Sequence, residues 1–453
     1  MRCLYIIVCV YIAFAESVSG QVEVSTPPIV NFTLLRQYDA IHIEEPQNTY
    51  QNLKKLSLGS NTTLSFGGSY RFQTEAFIHE QFEKKSEQND FWFLNRAMLH
   101  AHLKIGNTFE LFSELNSSLI TSKEAIVPVD KDELSVNQLF ARYQFHKNWN
   151  LLIGRQNMRL GSGRLIDIRE GPNVRLSFDM VQLQFKNKTT GITGFYAVPV
   201  QQKAGVFDND FLETNETLSA LYWTQNWTQT TNTDVYILYK EEAQKTWNLG
   251  TADDNRISLG MRHFGTWKGF NYNNEFVYQL GTFGDQNITA WTISFNVEKE
   301  FTIGEKPITL GIKTEAISGD SDASDATLQT FDALYPRGAY FGRVARFGPS
   351  NLIDIHPYAN LTLGKLTLEA DYVTFWRFAT NDGIYNPALI LDYPSENNQR
   401  FIGHQFGTIA NLEVSPFISV ELESNIILPS SFLQESNLDA TLYHFVFTTE
   451  IRF

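Results

Sequence analysis

Cysteine is nearly absent from this sequence. Two cysteines occur in 453 residues, Cys3 and Cys9, and both lie at the very start of the chain. The chain beyond them can form no disulfide bond and offers no thiolate for catalysis or metal binding. Cys9 follows Val8 rather than a small residue, which argues against a lipid-modified cysteine. The later chain must therefore be stabilised by something other than cross-links.

Long apolar runs are also missing beyond the first residues. The start of the chain has Arg2, then an apolar run over residues 4–15, then small residues, which is the pattern of a secretory signal peptide. Cleavage after Ala15 or after Gly20 fits this pattern. A membrane anchor is the alternative, but the run falls short of the ~20 residues that a spanning helix needs. No later window is long enough, so any later membrane segment must be a strand.

Positive charge is scarce as well. The chain has 36 Lys and Arg against 50 Asp and Glu, a net charge of −14, which argues against a nucleic-acid partner. Hydrophobic residues make up 43% and charged residues 19%, which is not the composition of a disordered chain. Aromatic residues reach 14%, with 35 Phe and 19 Tyr. Such abundance is typical of a membrane β-barrel, whose aromatic girdles lie at both membrane interfaces.

From Thr62 almost to the end, apolar and polar residues alternate with a period of two. About 18 segments show this pattern, and an even strand number is usual for single-chain bacterial barrels. We therefore predict an all-β fold, a transmembrane antiparallel β-barrel of about 18 strands. In one segment the apolar positions are Phe91, Phe93, Ala97, Leu99, Ala101, Leu103 and Ile105, and the polar positions are Arg96, His100, His102 and Lys104.

The connections between these segments alternate between short and long. A transmembrane barrel has short periplasmic turns and long extracellular loops, so the alternation favours a barrel over a soluble β-sandwich. The short connections include residues 106–107, 146–148, 187–189 and 363–365, and the long ones include 79–90, 117–133, 158–173, 200–215, 241–254, 319–350, 379–399 and 428–439.

The last strand supports the same interpretation. Residues 443–453 present a largely apolar face and end in an aromatic residue, Phe453. This resembles the C-terminal signal strand of bacterial outer-membrane barrels, which implies the barrel assembly machinery as a partner. A soluble edge strand that ends in Phe is the alternative. We predict a signal peptide over residues 1–20, an irregular periplasmic lead-in over 21–60 and the barrel over 61–453.

One stretch reverses the charge balance of the chain. Between Trp149 and Asp179 it holds five arginines against three carboxylates, those of Asp167, Glu170 and Asp179. It begins as an apolar strand, breaks at glycines and resumes as a strand near Val174. We interpret it as an arginine-bearing hairpin at the mouth and wall of a pore. Two alternatives remain open: the arginines pair with these carboxylates as a salt-bridged wall, or they face lipopolysaccharide phosphates outside.

This stretch also carries a resemblance to a known family. Gly154-Arg155-Gln156 followed by Arg159 resembles the alginate export family of outer-membrane barrels. Further similar stretches keep their order over about residues 62–453: Leu64 to Gly68, Asn89 to Leu94, Arg164-Leu165, Arg169 to Arg175, Phe178-Asp179, Gly205 to Asp208, Tyr335 to Gly342, Gly348 to Leu352, Asp382 to Tyr385 and Arg452-Phe453.

The resemblance implies an 18-stranded channel in the bacterial outer membrane with an arginine-lined constriction for a polyuronate. Arginine suits this role because it stays charged and binds carboxylate in a bidentate fork. A long periplasmic turn of the family's founding member has no counterpart here, so the substrate and the direction of transport stay open. Matching motifs point to Arg155, Arg159, Arg164, Arg169, Arg175, Arg337, Arg343 and Arg346, and strand pattern alone adds Arg96, Arg142 and Arg377.

The orientation of Arg155 poses a problem for this interpretation. Leu151 and Ile153 would face lipid, and the period of two places Arg155 on the same side. A charge facing lipid at the membrane midplane costs roughly 2–4 kcal/mol. We therefore expect Arg155 near the outer rim, or redirected by a β-bulge.

Other candidate sites are weaker. His100 and His102 share a strand face but lack a third metal ligand. Asp320, Asp322 and Asp325 are oxygen donors at a spacing that suits calcium, although a solvated acidic turn is the favoured explanation. The sequence shows no Ser-His-Asp arrangement, no nucleophile elbow and no nucleotide-binding loop, so we expect neither an enzyme nor a cofactor.

The leading hypothesis is an outer-membrane channel for anionic solutes, in particular an acidic, alginate-like oligo- or polysaccharide. Its expected partners are this saccharide, outer-membrane lipid and lipopolysaccharide. One alternative is a general or uptake porin of the same fold with little substrate preference. Another is a barrel with an adhesive or structural role, whose lumen is closed by residues 319–350.

Overall fold

The computed structural model describes residues 48–85 and 89–453 of the chain. The predicted signal peptide and most of the predicted lead-in lie outside these residues. The last part of the lead-in is not irregular as predicted. It forms a short helix, α1 (Thr49–Lys54), and a short strand, β1 (Leu56–Gly59), which pairs with the first barrel strand.

The main element is a closed antiparallel barrel of 18 strands, as predicted. The first barrel strand pairs with the last, which closes the sheet into a barrel. The barrel strands are β2 (Thr62–Ile78), β3 (Asp90–Ile105), β4 (Phe109–Thr121), β5 (Asp132–His146), β6 (Trp149–Gln156), β7 (Phe178–Lys186), β8 (Thr190–Pro199), β9 (Glu216–Asn226), β10 (Thr231–Trp247), β11 (Gly250–Trp267), β12 (Phe270–Phe283), β13 (Gln286–Ile303), β14 (Lys306–Ile317), β16 (Leu352–Leu363), β17 (Leu366–Arg377), β20 (Phe401–Ser415), β21 (Ile418–Pro429) and β22 (Leu442–Arg452).

A few short elements lie in the connections. No helix in the described parts of the chain is both long and apolar enough to span a membrane. The short elements are β15 (Thr327–Leu328), β18 (Ile384–Tyr385), β19 (Leu391–Tyr393) and a second helix, α2 (Ser431–Glu435).

The two faces of each strand differ as the period of two predicts. In β3 the side chains of Phe91, Leu99 and Ile105 are exposed on the outer surface. Arg96 and His100, on the opposite face, are buried in the lumen. Residues paired across neighbouring strands share a face, so this assignment extends around the barrel through the strand register. The result is an apolar outer belt and a polar lumen.

The predicted alternation of connections is largely confirmed. Turns at 106–108, 147–148, 187–189 and 364–365 are short and lie at the end of the barrel that carries both chain termini. One predicted outer loop is wrong. Residues 241–254 continue β10 and β11 to a tight turn at Asn248-Leu249, because their alternating side chains pair across the hairpin. The tip of this hairpin packs on the loop after β17, where Trp247 is buried against Tyr385.

Two outer connections fold into the lumen instead of projecting outward. We call residues 157–177 the first inner segment and residues 329–350 the second inner segment. They pair through a bridge between Ile166 and Tyr335. Their apolar side chains, among them Leu165, Phe331 and Phe347, form one buried core with the lumenal face of the wall. The outer half of the lumen is therefore packed.

A close contact between two lumenal residues gives a test of this packing. A Cβ atom on Gly260 of β11 would lie about 2 Å from the ring of Tyr236 on β10. That ring stacks on Tyr222, and its hydroxyl donates to Glu275 at 2.7 Å. We expect Gly260→Ala to displace the ring and to lower the free energy of unfolding by ~1–3 kcal/mol, measured by urea titration in detergent.

The control for this variant is Gly191→Ala on β8. A Cβ atom there meets nothing closer than 3.9 Å, so its unfolding midpoint should stay near that of the parent chain. Equal midpoints for the two variants would contradict the packing argument.

Candidate functional site

The first inner segment is held against the barrel wall by an arginine cluster. Arg71 on β2 and Arg96 on β3 are directly paired across the two strands and point into the lumen. Arg175 lies at the end of the first inner segment. We call these three residues the arginine trio. All three side chains are buried, and all three bind the segment around Glu170.

Glu170 is the centre of this cluster. Arg175 binds its carboxylate in a bidentate fork, with Nε at 2.6 Å and Nη2 at 2.9 Å. Arg96 also pairs with the carboxylate, and Arg71 donates to the carbonyl oxygens of Glu170 and Pro172 at 2.9 Å each. Three guanidinium groups surround one carboxylate, so this part of the lumen carries an excess of positive charge.

The electrostatics of Glu170 agree with this geometry. Burial alone would raise the pKa of its carboxyl group, but the charges of Arg175 and Arg96 hold this pKa well below its usual range. The side chain of Glu170 is still 35% exposed towards the lumen. The carboxylate of Glu170 is therefore bound by the arginine trio on one side and faces the open lumen on the other.

Arg155 does not belong to the lumen. In the register it pairs with Leu139 on one side and with Asp179 on the other, and Leu139 is exposed on the outer belt. Its guanidinium binds Asp179 through Nε at 2.7 Å and Nη2 at 2.9 Å. The sequence predicted that Arg155 lines the pore, but the structure places its side chain on the outer face of the barrel. The period of two keeps the side chain outside, and an ion pair compensates its charge.

The other arginines of the stretch from Trp149 to Asp179 also have partners. Arg159 is half-exposed and contacts Asp167 at 3.3 Å, while Arg164 contacts Glu315 at 2.7 Å and Glu275 at 3.4 Å. Arg169 donates to the carbonyl oxygen of Pro336 at 3.3 Å. The salt-bridged arrangement considered from the sequence thus describes most of this stretch.

The arginines of the second inner segment link it to distant strands. Arg343 pairs with Glu421 and Glu423 of β21, and Arg346 contacts Glu80 at 3.5 Å. Arg337 differs, because it donates only to the carbonyl oxygen of Ser162, at 3.4 Å. Within the described residues it has no carboxylate partner.

The two remaining candidates lie apart from these segments. Arg142, on the lumenal face of β5, pairs with Glu110 near the periplasmic end. Arg377, at the outer end of β17, is fully buried and donates to carbonyl oxygens of the loop that follows, including that of Asn397 at 2.6 Å. Arg377 therefore organises an outer loop and does not line the lumen.

A polar cavity lies between the second inner segment and the wall. The cavity opens into the adjoining lumen. Its empty volume is about 460 Å³ when this open space is included. Arg337 and Lys313 line it, together with the amide side chains of Asn273 and Asn296 and the carboxylate of Asp354. Asp354 is 1% exposed, and neither of its carboxylate oxygens has a hydrogen-bond partner in the structure. Buried polar groups are normally paired, so an unpaired carboxylate indicates a position for a ligand or water.

Sequence reasoning missed three of these residues. Arg71 lies on the polar face of β2, between Ser69 and Gln73 at every second position. The same alternation of polar residues identified Arg96 on β3. Lys313 and Asp354 also lie on polar strand faces. The alternative in which residues 319–350 close the lumen does not indicate which strand residues this segment covers.

The weak metal candidates are not supported. His100 and His102 lie near Glu114 and Glu110, and no group of three potential ligands converges anywhere in the described chain. Among the described residues, Asp320, Asp322 and Asp325 do not converge into a group that could hold a metal ion. Asp322 accepts from Ser324, and the carboxylate of Asp325 accepts from the backbone of Thr327. These two carboxylates therefore accept hydrogen bonds from the backbone of the turn in which they lie.

Glu170 gives a test of the arginine cluster. Glu170→Gln leaves Arg96 and Arg175 buried without a carboxylate. We expect a loss of roughly 2–4 kcal/mol in unfolding free energy, less than for a fully buried pair because Glu170 is partly exposed. Urea unfolding followed by tryptophan fluorescence measures it. Glu450→Gln, which removes a pair with the more exposed Arg452, is the control. Equal effects of the two variants would contradict a central role for Glu170.

Asp320 gives a pH test of the outer loops. Burial, followed by the charges of Asp382, Asp325 and Asp322, raises its pKa to about 6. The folded pKa of Asp320 exceeds that of the unfolded chain. The protonated carboxyl group therefore contributes fully to stability below about pH 4, and this contribution is lost as pH rises through about 6. Hydrogen exchange in residues 318–351 should therefore be faster at pH 7.5 than at pH 4.5, after correction for intrinsic rates. Asp320→Asn should reduce this difference, and an unchanged difference would contradict the assignment.

Comparison with known proteins agrees with this architecture. OpdQ of Pseudomonas aeruginosa superposes with a TM-score of 0.57 at 10% identity, over 86% of this chain and 97% of its own. OccK2 (OpdF) of the same organism, solved in complex with glucuronate, gives a TM-score of 0.58 at 11% identity, over 85% and 98%. No match was found among curated protein sequences. The alginate export family model matches residues 62–447, so this outer-membrane β-barrel belongs to the alginate export family.

Proposed function

We propose that this outer-membrane channel passes acidic saccharides and binds them transiently along its lumen. The observation that carries the proposal is the polar cavity. Arg337 and Lys313 offer positive charge without a carboxylate partner among the described residues. Asp354 offers two buried acceptor oxygens beside them. A sugar acid matches both features, because its carboxylate needs cations and its hydroxyl groups need acceptors.

The charges around the cavity favour a sugar acid over a simple anion. Glu315 on β14 and Asp354 on β16 lie directly opposite each other in the strand register. Glu369 and Asp371 lie on the next strand, β17. These carboxylates would repel a compact anion such as sulfate. A uronate residue separates its one charge from its hydroxyl groups, so it can meet cations on one side and carboxylates on the other.

The arginine trio, further along the lumen, is an internal example of how guanidinium groups of this chain bind a carboxylate. Its bidentate fork already holds the carboxylate of Glu170, which demonstrates that the geometry suits a carboxylate. Repeated weak binding of this kind is what conduction needs, since a site that binds too tightly traps the solute. The glucuronate complex of OccK2 supports the choice of probe, although at 11% identity the likeness concerns the fold.

A barrel with a surface role is the second candidate. It is favoured by the packed core that the two inner segments form in the outer half of the lumen. Recording of single channels in a planar bilayer separates the two. Absence of conductance would support the closed barrel, and a channel that prefers cations would overturn the acidic-saccharide proposal.

Matched probes test the polar cavity. Glucuronate carries charge and hydroxyls, cyclohexanecarboxylate carries only the charge, and glucose only the hydroxyls. We expect Arg337→Gln to weaken block by both acids roughly tenfold, the loss of one charge-assisted hydrogen bond. We expect Asp354→Asn to weaken block by glucuronate relative to block by cyclohexanecarboxylate, because the hydroxyl groups lose an acceptor while both anions lose the same repulsion.

The control for this experiment is Lys104→Gln, which removes a lumenal cation near the periplasmic end of β3. It should change the overall ion preference slightly and leave the block by glucuronate as in the parent channel. If Lys104→Gln weakens the block as much as Arg337→Gln does, net charge rather than the cavity determines binding.

A further inference from the structure

The barrel wall is unusually low at β6 and β7. These strands have 8 and 9 residues, at or below the ~9–11 residues that a tilted strand needs to cross the membrane. Their neighbour β5 continues upward, but above the pair of Leu139 with Arg155 it has no partner from β6, because the chain turns into the lumen at residue 157. The wall therefore has a gap at its outer end.

A segment from the next outer loop covers this gap from outside. We call residues 201–215 the flap. Its backbone pairs with the free edge of β5: Leu134 donates to Gly205 at 3.3 Å, and Phe207 donates back to Leu134 at 2.7 Å. Asn209 also donates to the carboxylate of Asp132 at 2.8 Å. The flap thus replaces the strand that β6 does not supply.

The ion pair of Arg155 and Asp179 fixes the other side of the flap. Arg155 donates to the carbonyl oxygens of Asn209 and Asp210, at 3.4 and 2.8 Å, and the backbone of Leu212 donates to Asp179 at 3.0 Å. The ring of Phe211 lies over the guanidinium at 4.0 Å. Both charges are consequently buried although they lie on the outer face of the barrel.

The depth of Arg155 indicates what surrounds the flap. Trp149 lies at the periplasmic end of β6, where its ring packs on Phe145 and Phe185 as part of an aromatic girdle. Arg155 is six residues above it, which is about 15 Å at ~3.3 Å per residue and a tilt of ~40°. The apolar band of such a barrel is about 25 Å tall. The ion pair therefore lies within the outer half of the membrane.

The outer surface of the flap exposes large apolar side chains, beside an ion-paired group formed by Lys203, Asp210 and Glu213. Four large side chains are 56–59% exposed there: Val206, Phe207, Phe211 and Leu212. They continue the apolar belt formed by Leu139, Ile153 and Val181, which is the established lipid-facing surface. An apolar patch of this size in water would be unfavourable, whereas in lipid it is the expected composition.

We propose that the flap is a lipid-immersed seal that binds the acyl chains of the outer leaflet and is clamped by the ion pair of Arg155 and Asp179. The partner is the lipid surface itself, and the apolar side chains of the flap are its binding site. The clamp lets a charged pair lie at membrane depth, because the flap separates it from lipid.

Spin labelling at single cysteines tests the location of the flap. With Cys3 and Cys9 replaced by alanine, the chain has no other cysteine. Labels at Val206→Cys and Leu212→Cys are compared with Ile153→Cys on the lipid belt and Ile126→Cys on another outer loop, in vesicles. We expect the flap labels to match Ile153, with high collision rates for oxygen and low rates for a water-soluble nickel chelate. Rates that match Ile126, or dipolar broadening between copies of the chain, would overturn the proposal.

Release of the clamp tests its role. Arg155→Met keeps much of the side-chain volume and removes the charge, and Arg142→Met is the matched control in the lumen. We expect nickel accessibility at the Leu212 label to rise several-fold in Arg155→Met and to stay unchanged in Arg142→Met. Heat-dependent gel mobility verifies that each variant is folded, and Arg155→Gln, which also removes the charge, replaces Arg155→Met if the latter fails to fold. Unchanged accessibility in a folded Arg155 variant would contradict the clamp.

Discussion

Every strand of this protein must satisfy its backbone hydrogen bonds within the sheet, because lipid supplies no donors or acceptors. Closure of the 18-stranded sheet through the pairing of β2 with β22 meets this requirement for the wall as a whole. Closure also fixes the direction of every side chain, since each position faces either lipid or lumen. The apolar outer belt, the polar lumen and the placement of each arginine follow from this constraint.

The constraint is broken locally where the chain leaves the wall at residue 157. Sending residues 157–177 inward fills the outer lumen, but it also deprives β5 of its partner strand. The flap restores the missing hydrogen bonds from the outside. The inner segment and the flap are thus two consequences of one departure from the barrel, and Arg155 lies at the point where they separate.

Charge in the lumen is organised by pairing rather than by a uniform positive surface. The arginine trio holds Glu170, and Arg343 bridges to β21, so these arginines anchor the inner segments. Arg337 and Lys313 differ because they face an unpaired carboxylate across a cavity. This difference between arginines that stabilise the fold and cations that remain available for a solute is the central feature of the proposed channel. An arginine-rich motif alone does not make the distinction.

The sequence by itself determined the barrel, the approximate strand number, the side of each turn and the face of most strand residues. These follow from a local pattern, because a strand residue experiences lipid or lumen according to its parity. The same parity predicted that the side chain of Arg155 lies on the lipid-facing side of its strand. Only the tertiary structure decided which carboxylate each arginine meets. Arg96 pairs with Glu170, 74 positions away, and Arg343 pairs with Glu421, 78 positions away. Such contacts depend on how long loops fold across the lumen or over the wall, and no short-range periodicity encodes that.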